Sequence, residues 1–269
     1  MAKSVKLFPI LVSVAVLASG SHLWAQNEKW NSAGLARNPV QATPSTAAPA
    51  PRRDLTGIWD AGRAGIGGNG FPTPPLTPRG EEVSKTHKSG NGKRMAPIDQ
   101  INDPLSTLGD PAGFPRDLLF ELRPFQIVQT PNQVLMLYMF EKRWRVIWTD
   151  GRQLPKDPPP RWYGYSVGKW EDDYTFVVQS LGTDQRTWLD NSGNPHSADA
   201  KVEERYHRTS QNTLELTVTI DDPAMYTKPW VPRDKLLLAR LPSDTDLMEM
   251  IPSASEAAEY RKVFAGASQ

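Results

Sequence analysis

The chain contains no cysteine. Disulfides cannot hold it, paired-cysteine metal sites are excluded, and a lipid-anchored leader has no residue to carry the lipid. A charge excess is also lacking: 31 Lys and Arg face 30 Asp and Glu. Binding a phosphate backbone needs surplus, clustered cations, so nucleic acid is not an expected partner. Beyond the N-terminus no apolar run is long enough to cross a bilayer as a helix. No His-x-His or His-Glu-x-x-His spacing occurs, so neither a metal nor another cofactor is expected. No internal repeat of fixed period is present.

What the chain does contain begins with a leader. Lys3 and Lys6 precede the apolar stretch Leu7–Ala18, and Leu23-Trp24-Ala25 ends in a small residue suited to cleavage. Residues 1–25 therefore read as an export signal, with cleavage after Gly20 as the alternative. The protein is expected to be periplasmic or secreted, with no membrane span once the signal is removed. The leader holds two Lys and no acid, so its loss takes the formal charge from +1 to −1. Residues 26–53 read as a disordered Pro- and Ala-rich linker, too poor in apolar side chains to offset the entropy of ordering. Residues 54–269 read as a single β-rich domain, large enough for an ordinary core.

Proline (25) and tryptophan (nine) are both abundant. Many prolines break helices and favour short strands with fixed turns. Candidate strands run over Asp54–Asp60, Phe125–Thr130, Gln133–Phe140, Trp144–Trp148, Trp162–Trp170, Tyr174–Ser180, Val202–Arg208, Thr213–Ile220 and Lys235–Arg240. Val134–Phe140 is apolar at every position, which predicts cover on both faces. Thr213–Ile220 alternates Leu214, Leu216, Val218 and Ile220 with polar residues, the pattern of a half-buried strand. Thr77-Pro78 opens a short polar helix, and Ser253-Ala-Ser-Glu256 is a capping box for another. Ala96–Arg116 is irregular. Gly65–Gly70 matches a dinucleotide fingerprint, but no helix follows to hold a pyrophosphate, so it reads as a loop. The whole is mainly β: an antiparallel meander closing into a lipocalin-like up-and-down barrel, or a strongly curled sheet, with one or two peripheral short helices.

Several motifs resemble an uncharacterised family of exported bacterial proteins. They are Phe125-Gln-Ile-Val-Gln-Thr-Pro131, Trp148-Thr-Asp-Gly-Arg152, Trp162-Tyr-Gly-Tyr-Ser-Val-Gly168, Thr187-Trp-Leu-Asp190, Pro195-His-Ser197, Glu203-Glu-Arg-Tyr206 and Thr219-Ile-Asp-Asp-Pro223 with Tyr226-Thr-Lys-Pro-Trp230. The resemblance runs from about Leu55 to the C-terminal helix. It implies export and one domain, and brings no assigned activity. Against that family, Asp172 stands where relatives tend to have Gly, at a hairpin position expected to need positive φ. Cysteines that relatives carry near Gly109 and near Met250-Ile251 are absent.

Candidate chemistry gathers around the polar loop Thr187–Ser197. Gly164-Tyr-Ser166-Val-Gly168 matches the serine nucleophile elbow, and Asp190 and His196 follow in Ser, Asp, His order. The elbow requires a helix directly after the serine, whereas the strand-like Tyr174–Val178 follows here. Ser166, Asp190 and His196 are the catalytic candidates on that pattern. Val202–Arg208 carries charge on both faces, which suits an edge strand or else the wall of a polar pocket; in a pocket Glu204 would need a partner such as Arg152 or Arg205. The ligand-binding candidates are Trp188, Asp190, His196, Glu204, Tyr206, Arg152 and Tyr163, with the Thr187–Ser197 loop and the Asp221–Trp230 segment as lid or mouth of an axial cavity. Three functions follow: an exported barrel binding a small molecule, a periplasmic hydrolase using Asp190 and His196 with or without Ser166, and a structural or interaction module of the envelope.

Overall fold

The computed structural model of the chain describes residues 48–66 and 71–266. The expected leader, most of the linker and part of the Gly65–Gly70 match lie outside the described residues. Nine strands form one closed barrel. They are β1 (Gly57–Asp60), β2 (Phe125–Gln129), β3 (Gln133–Tyr138), β4 (Trp144–Trp148), β5 (Tyr165–Trp170), β6 (Thr175–Leu181), β7 (Lys201–Ser210), β8 (Thr213–Asp221) and β9 (Trp230–Leu241). Each pairs with the next, and β9 returns to β1 through Ile58–Leu241, Trp59–Arg240 and Asp60–Ala239. Closure removes every free sheet edge, as a lipocalin-like barrel does.

Among the described residues four α-helices accompany the barrel: α1 (Pro78–Thr86), α2 (Pro104–Leu108), α3 (Arg116–Leu119) and α4 (Ala254–Gly266). Thr77 caps α1 by accepting from the Gly80 amide, and the Ser253 and Glu256 side chains each accept a backbone amide of the other. These two are the expected peripheral helices. The irregular segment supplies α2 and α3 in addition. Asp103 caps α2 by accepting from the Leu105 amide, and Pro104 takes the first helical position.

The chain makes one departure from a pure meander. β4 and β5 run parallel and pair only at Trp148–Val167. A parallel neighbour needs a crossover rather than a hairpin. Residues 149–164 make it, running from the far end of β4 back to the start of β5. Pro155, Pro158, Pro159 and Pro160 lie in this crossover, lack the amide a ladder requires, and keep it out of the sheet. The barrel is therefore closed but has one loosely zipped seam.

Alternation decides what faces inward. Leu214, Leu216, Val218 and Ile220 of β8 are fully buried, each stabilising the fold by about 1.5–3 kcal/mol. β3 corrects an expectation. Val134, Met136 and Tyr138 are buried while Leu135 and Leu137 are only half-buried, so its outer face has partial cover and not a second core. β7 corrects another: it lies between β6 and β8 and is not an edge, and Val202, Glu204, Tyr206 and Arg208 all point into the barrel. Asp172 does not take positive φ. Its carboxylate accepts from the Tyr174 and Thr175 amides, both at 2.7 Å, and so closes the β5–β6 turn without a left-handed residue.

The barrel axis is filled by side chains. Phe114, Leu118, Phe125, Met136, Tyr206 and Leu216 are all completely buried. At one end the segment carrying Phe114 and α3 plugs the opening. At the other, the buried Arg208 guanidinium donates to the carbonyls of Asp54, Ser210 and Gln211 and sits 4.8 Å from the Trp59 ring centre. The expected axial cavity is thus replaced by packed core.

Candidate functional site

Arg145 and Glu204 form a buried pair in the barrel interior, at 2 % and 0 % exposure. The interior face of β4 carries Arg145 and Ile147, and Trp144, Val146 and Trp148 take the outer face. The Arg145 guanidinium makes a two-pronged contact with the Glu204 carboxylate, through Nη1 at 3.0 Å and through Nη2. It also donates to Ser166 Oγ and Ser180 Oγ, each at 3.0 Å, and lies 3.8 Å from the Phe114 ring centre. Tyr206 donates at 2.7 Å to Glu204 Oε2, the oxygen that also accepts from Arg145 Nη1. Burial opposes the Arg145 charge, yet the Glu204 carboxylate more than offsets it, and the guanidinium pKa is raised. The expected Glu204 partners, Arg152 and Arg205, are engaged elsewhere: Arg152 with Asp150, Arg205 with Glu171 and Glu203. Both leave from the outside of the barrel and cannot reach an inward carboxylate.

Beside this pair lies Asp117, on α3, with neither carboxyl oxygen in a hydrogen bond; the Tyr138 hydroxyl is likewise without a partner in bonding geometry. Burial pushes the Asp117 carboxyl up to about 8, against a smaller opposing pull from Arg145; Glu204 and Glu141 push it further up and Tyr138 holds it down. Glu141 is tied by the Ala112 amide at 2.8 Å and by the Tyr163 hydroxyl at 2.8 Å. Burial, then Asp117 and Glu141, raises the Tyr163 pKa.

The seam lies over this interior. A cleft of about 700 Å³ opens between β4, β5 and the crossover, and its lining includes Trp144, Arg145, Trp148, Arg152, Arg161, Trp162, Tyr163, Tyr165 and Ser166. Arg145 and Ser166 of the buried network border it from beneath, at 2 % and 3 % exposure, where β4 and β5 share a single pair of ladder partners. Its walls are aromatic, and Trp144 is 66 % exposed. The size and composition are those of small-molecule sites. A second cavity of about 620 Å³ lies between α2, α4 and the loops near Ile98, lined by Leu105, Phe120 and Ala257 among others. Its lining contains none of the residues of the buried charge network.

The sequence candidates divide. Arg152 and Tyr163 line the cleft, and Ser166 borders it from beneath. Glu204 and Tyr206 stand behind Arg145 in the same network. Trp188, Asp190 and His196 belong to the end-capping loop. Asp190 accepts from the Ser192 amide (2.9 Å), the Asn194 amide (3.2 Å) and the Asn194 side chain (2.6 Å). Burial raises its pKa. His196 meets Thr187 Oγ1 at 2.8 Å and donates to the Ser197 carbonyl at 3.0 Å, and burial lowers its pKa. Trp188 stacks on His87, rings 4.5 Å apart. Tyr226 donates to the Pro195 carbonyl and Asp222 accepts from Ser197, so the Asp221–Trp230 segment locks this loop down and does not form a mouth.

Ser166, Asp190 and His196 thus share no hydrogen bond. The glycines of the elbow-like motif have packing reasons. Gly164 holds φ +57°, and a Cβ there would meet the Leu181 carbonyl at 2.6 Å; a Cβ on Gly168 would meet the Phe176 ring at 2.3 Å. Sequence reasoning missed Arg145 and Asp117. Arg145 had one available signal, its two-residue spacing from Ile147, which puts them on one face opposite three large apolar neighbours. Asp117 had none, because α3 reaches the interior through an irregular segment.

An expected outcome separates the loop from the cleft. Asp190→Ala leaves two amides and the Asn194 side chain unmet, so urea unfolding should show a loss of about 2–4 kcal/mol. Affinity at the cleft should be unchanged in the folded variant; lost affinity would make the loop part of the site.

Comparison of the chain with protein-family models, with curated proteins and with solved structures returns no match.

Proposed function

We propose that this is an exported barrel protein that binds a small molecule in the seam cleft rather than along the barrel axis. The observation that supports this reading is the single-pair contact of β4 with β5, which leaves an aromatic-walled opening above Arg145 and Ser166. A binding site needs concave apolar surface with a few fixed polar groups. The cleft combines Trp and Tyr walls with bordering polar side chains held in place by Glu204 and Ser180. Export rests on the leader and on the motif resemblance. No helix among the described residues is long and apolar enough to cross a membrane.

The test is a thermal-shift screen of small organic acids, sugars and peptides, repeated on Trp148→Ala. A binder should raise the Tm of the native protein, by mass action, and lose that effect in the variant. A shift that survives Trp148→Ala would remove the cleft from the account. Expression with the leader in a diderm bacterial host should yield periplasmic protein beginning at Gln26 or Ser21; cytoplasmic protein retaining Met1 would remove export.

A further inference from the structure

We infer that the seam cleft takes a planar organic anion, a ring system bearing a carboxylate. The inference rests on the cleft as ligand site and adds the chemical class of the ligand. Three arginines line the cleft, Arg145, Arg152 and Arg161, and no Asp or Glu does. The neutral balance of the whole chain makes that local asymmetry informative. Arg145 is neutralised by Glu204 and Arg152 by Asp150, so the uncompensated positive charge at the rim is that of Arg161. Arg161 has no carboxylate partner among the described residues; its guanidinium lies 4.2 Å from the Tyr165 ring centre. Arg152 lies 3.5 Å from the Trp148 ring centre, and Asp150 holds its Nε and Nη2. Its Nη1 is left to meet a ligand.

A guanidinium with an open N–H edge recognises a carboxylate by paired hydrogen bonds; Arg161 keeps that edge, whereas Asp150 takes the Nε and Nη2 edge of Arg152. Trp148 and Trp162 each carry a guanidinium on one face, Arg152 at 3.5 Å and Arg186 at 4.4 Å, which leaves their opposite faces and the Tyr163 ring to meet a flat ligand. A ring system among these walls puts its carboxylate against the Arg161 guanidinium, with Arg152 Nη1 as a second donor. A cationic ring would meet like charge at the rim, and a neutral one would leave the guanidiniums to water.

Three bicyclic probes of one shape test this: 2-naphthoate, 2-naphthylmethanol and 2-naphthylmethylammonium. Binding to the full chain is followed by calorimetry at low and high salt. The acid should bind at least tenfold tighter than the alcohol, lose several-fold affinity in high salt, and exceed the ammonium by more. Arg161→Gln, an exposed and readily folded change, should abolish the preference for acid over alcohol. Equal binding of acid and alcohol, both lost in Trp148→Ala, would overturn the anion while keeping the cleft. Acid binding that survives Trp148→Ala would overturn the cleft itself. No binding of any probe at millimolar concentration would overturn the planar anion.

Discussion

Arg145→Ala should cost about 3–5 kcal/mol of folding stability, because it leaves the Glu204 carboxylate in the barrel interior without a counter-charge. Only Tyr206 would still donate to it, and that single neutral hydrogen bond does not replace a two-pronged guanidinium. Ser166 and Ser180 would lose their shared donor as well. Against a typical total of about 5–15 kcal/mol, the loss is large enough to bring the midpoint temperature down by roughly 10 °C. The double variant Arg145→Met with Glu204→Leu should recover most of that loss, since two apolar side chains of similar reach avoid the desolvation of both ions. Urea unfolding of the two variants beside the native protein measures both effects. A cost below about 1 kcal/mol for Arg145→Ala is the range of a solvated surface pair. It would mean that the interior admits water freely and that the packed axis described above is wrong.

The second large effect is on pH dependence. Asp117 is raised to about 8 in the folded protein from an ordinary 3.8. Between those values the folded state keeps a proton that the unfolded state has released. Stability is therefore greatest below about pH 4 as far as this group is concerned, and it falls as pH rises toward 8, levelling off above. A shift of four units corresponds to roughly 5 kcal/mol at full extent. The groups that set it sit on several elements: Tyr138 on β3, Arg145 on β4, Glu204 on β7 and Glu141 before β4. Asp117→Asn imitates the protonated acid in shape and neutrality. Urea unfolding at pH 5, 7 and 9 should already find the variant ahead by about 1–2 kcal/mol at pH 5, because the unfolded acid is ionised there, with the gap widening toward pH 8. At pH 9 the variant should be the more stable by several kcal/mol. Parallel curves across the range would show that Asp117 is not the buried, unpartnered acid described here.

The barrel was legible where local chemistry and tertiary position agree. β8 alternates because one face is core and the other is half-exposed, so Leu214 to Ile220 declare their own orientation. Thr77 and Ser253 announce helix starts because a cap is satisfied within four residues. β7 was read poorly for the opposite reason. Glu204 and Arg208 belong to the inner face, and a charged residue in sequence suggests solvent unless its partner is known. The partner of Glu204 is Arg145, 59 positions earlier on the far side of the seam, and no local pattern connects them. The seam itself was hidden by the same separation. Four prolines mark residues 154–160 as outside the sheet, but not that the chain returns to the same end, begins β5 at Tyr165 rather than Trp162, and sets β5 parallel to β4. The loop Thr187–Ser197 concentrated Asp, His and Ser in a way that invites a catalytic reading. Its side chains satisfy the backbone of the loop itself, which is why so many polar residues can be buried there.

The claim that the ligand enters at the seam is tested most directly by the indole N–H resonances of the tryptophans during titration with 2-naphthoate. Trp148 and Trp162 line the cleft, whereas Trp59, Trp188 and Trp230 are buried at the barrel ends. Saturable shifts at Trp148 and Trp162, with Trp59, Trp188 and Trp230 unmoved, are the predicted result. Shifts at Trp59, Trp188 or Trp230 with Trp148 and Trp162 silent would contradict it.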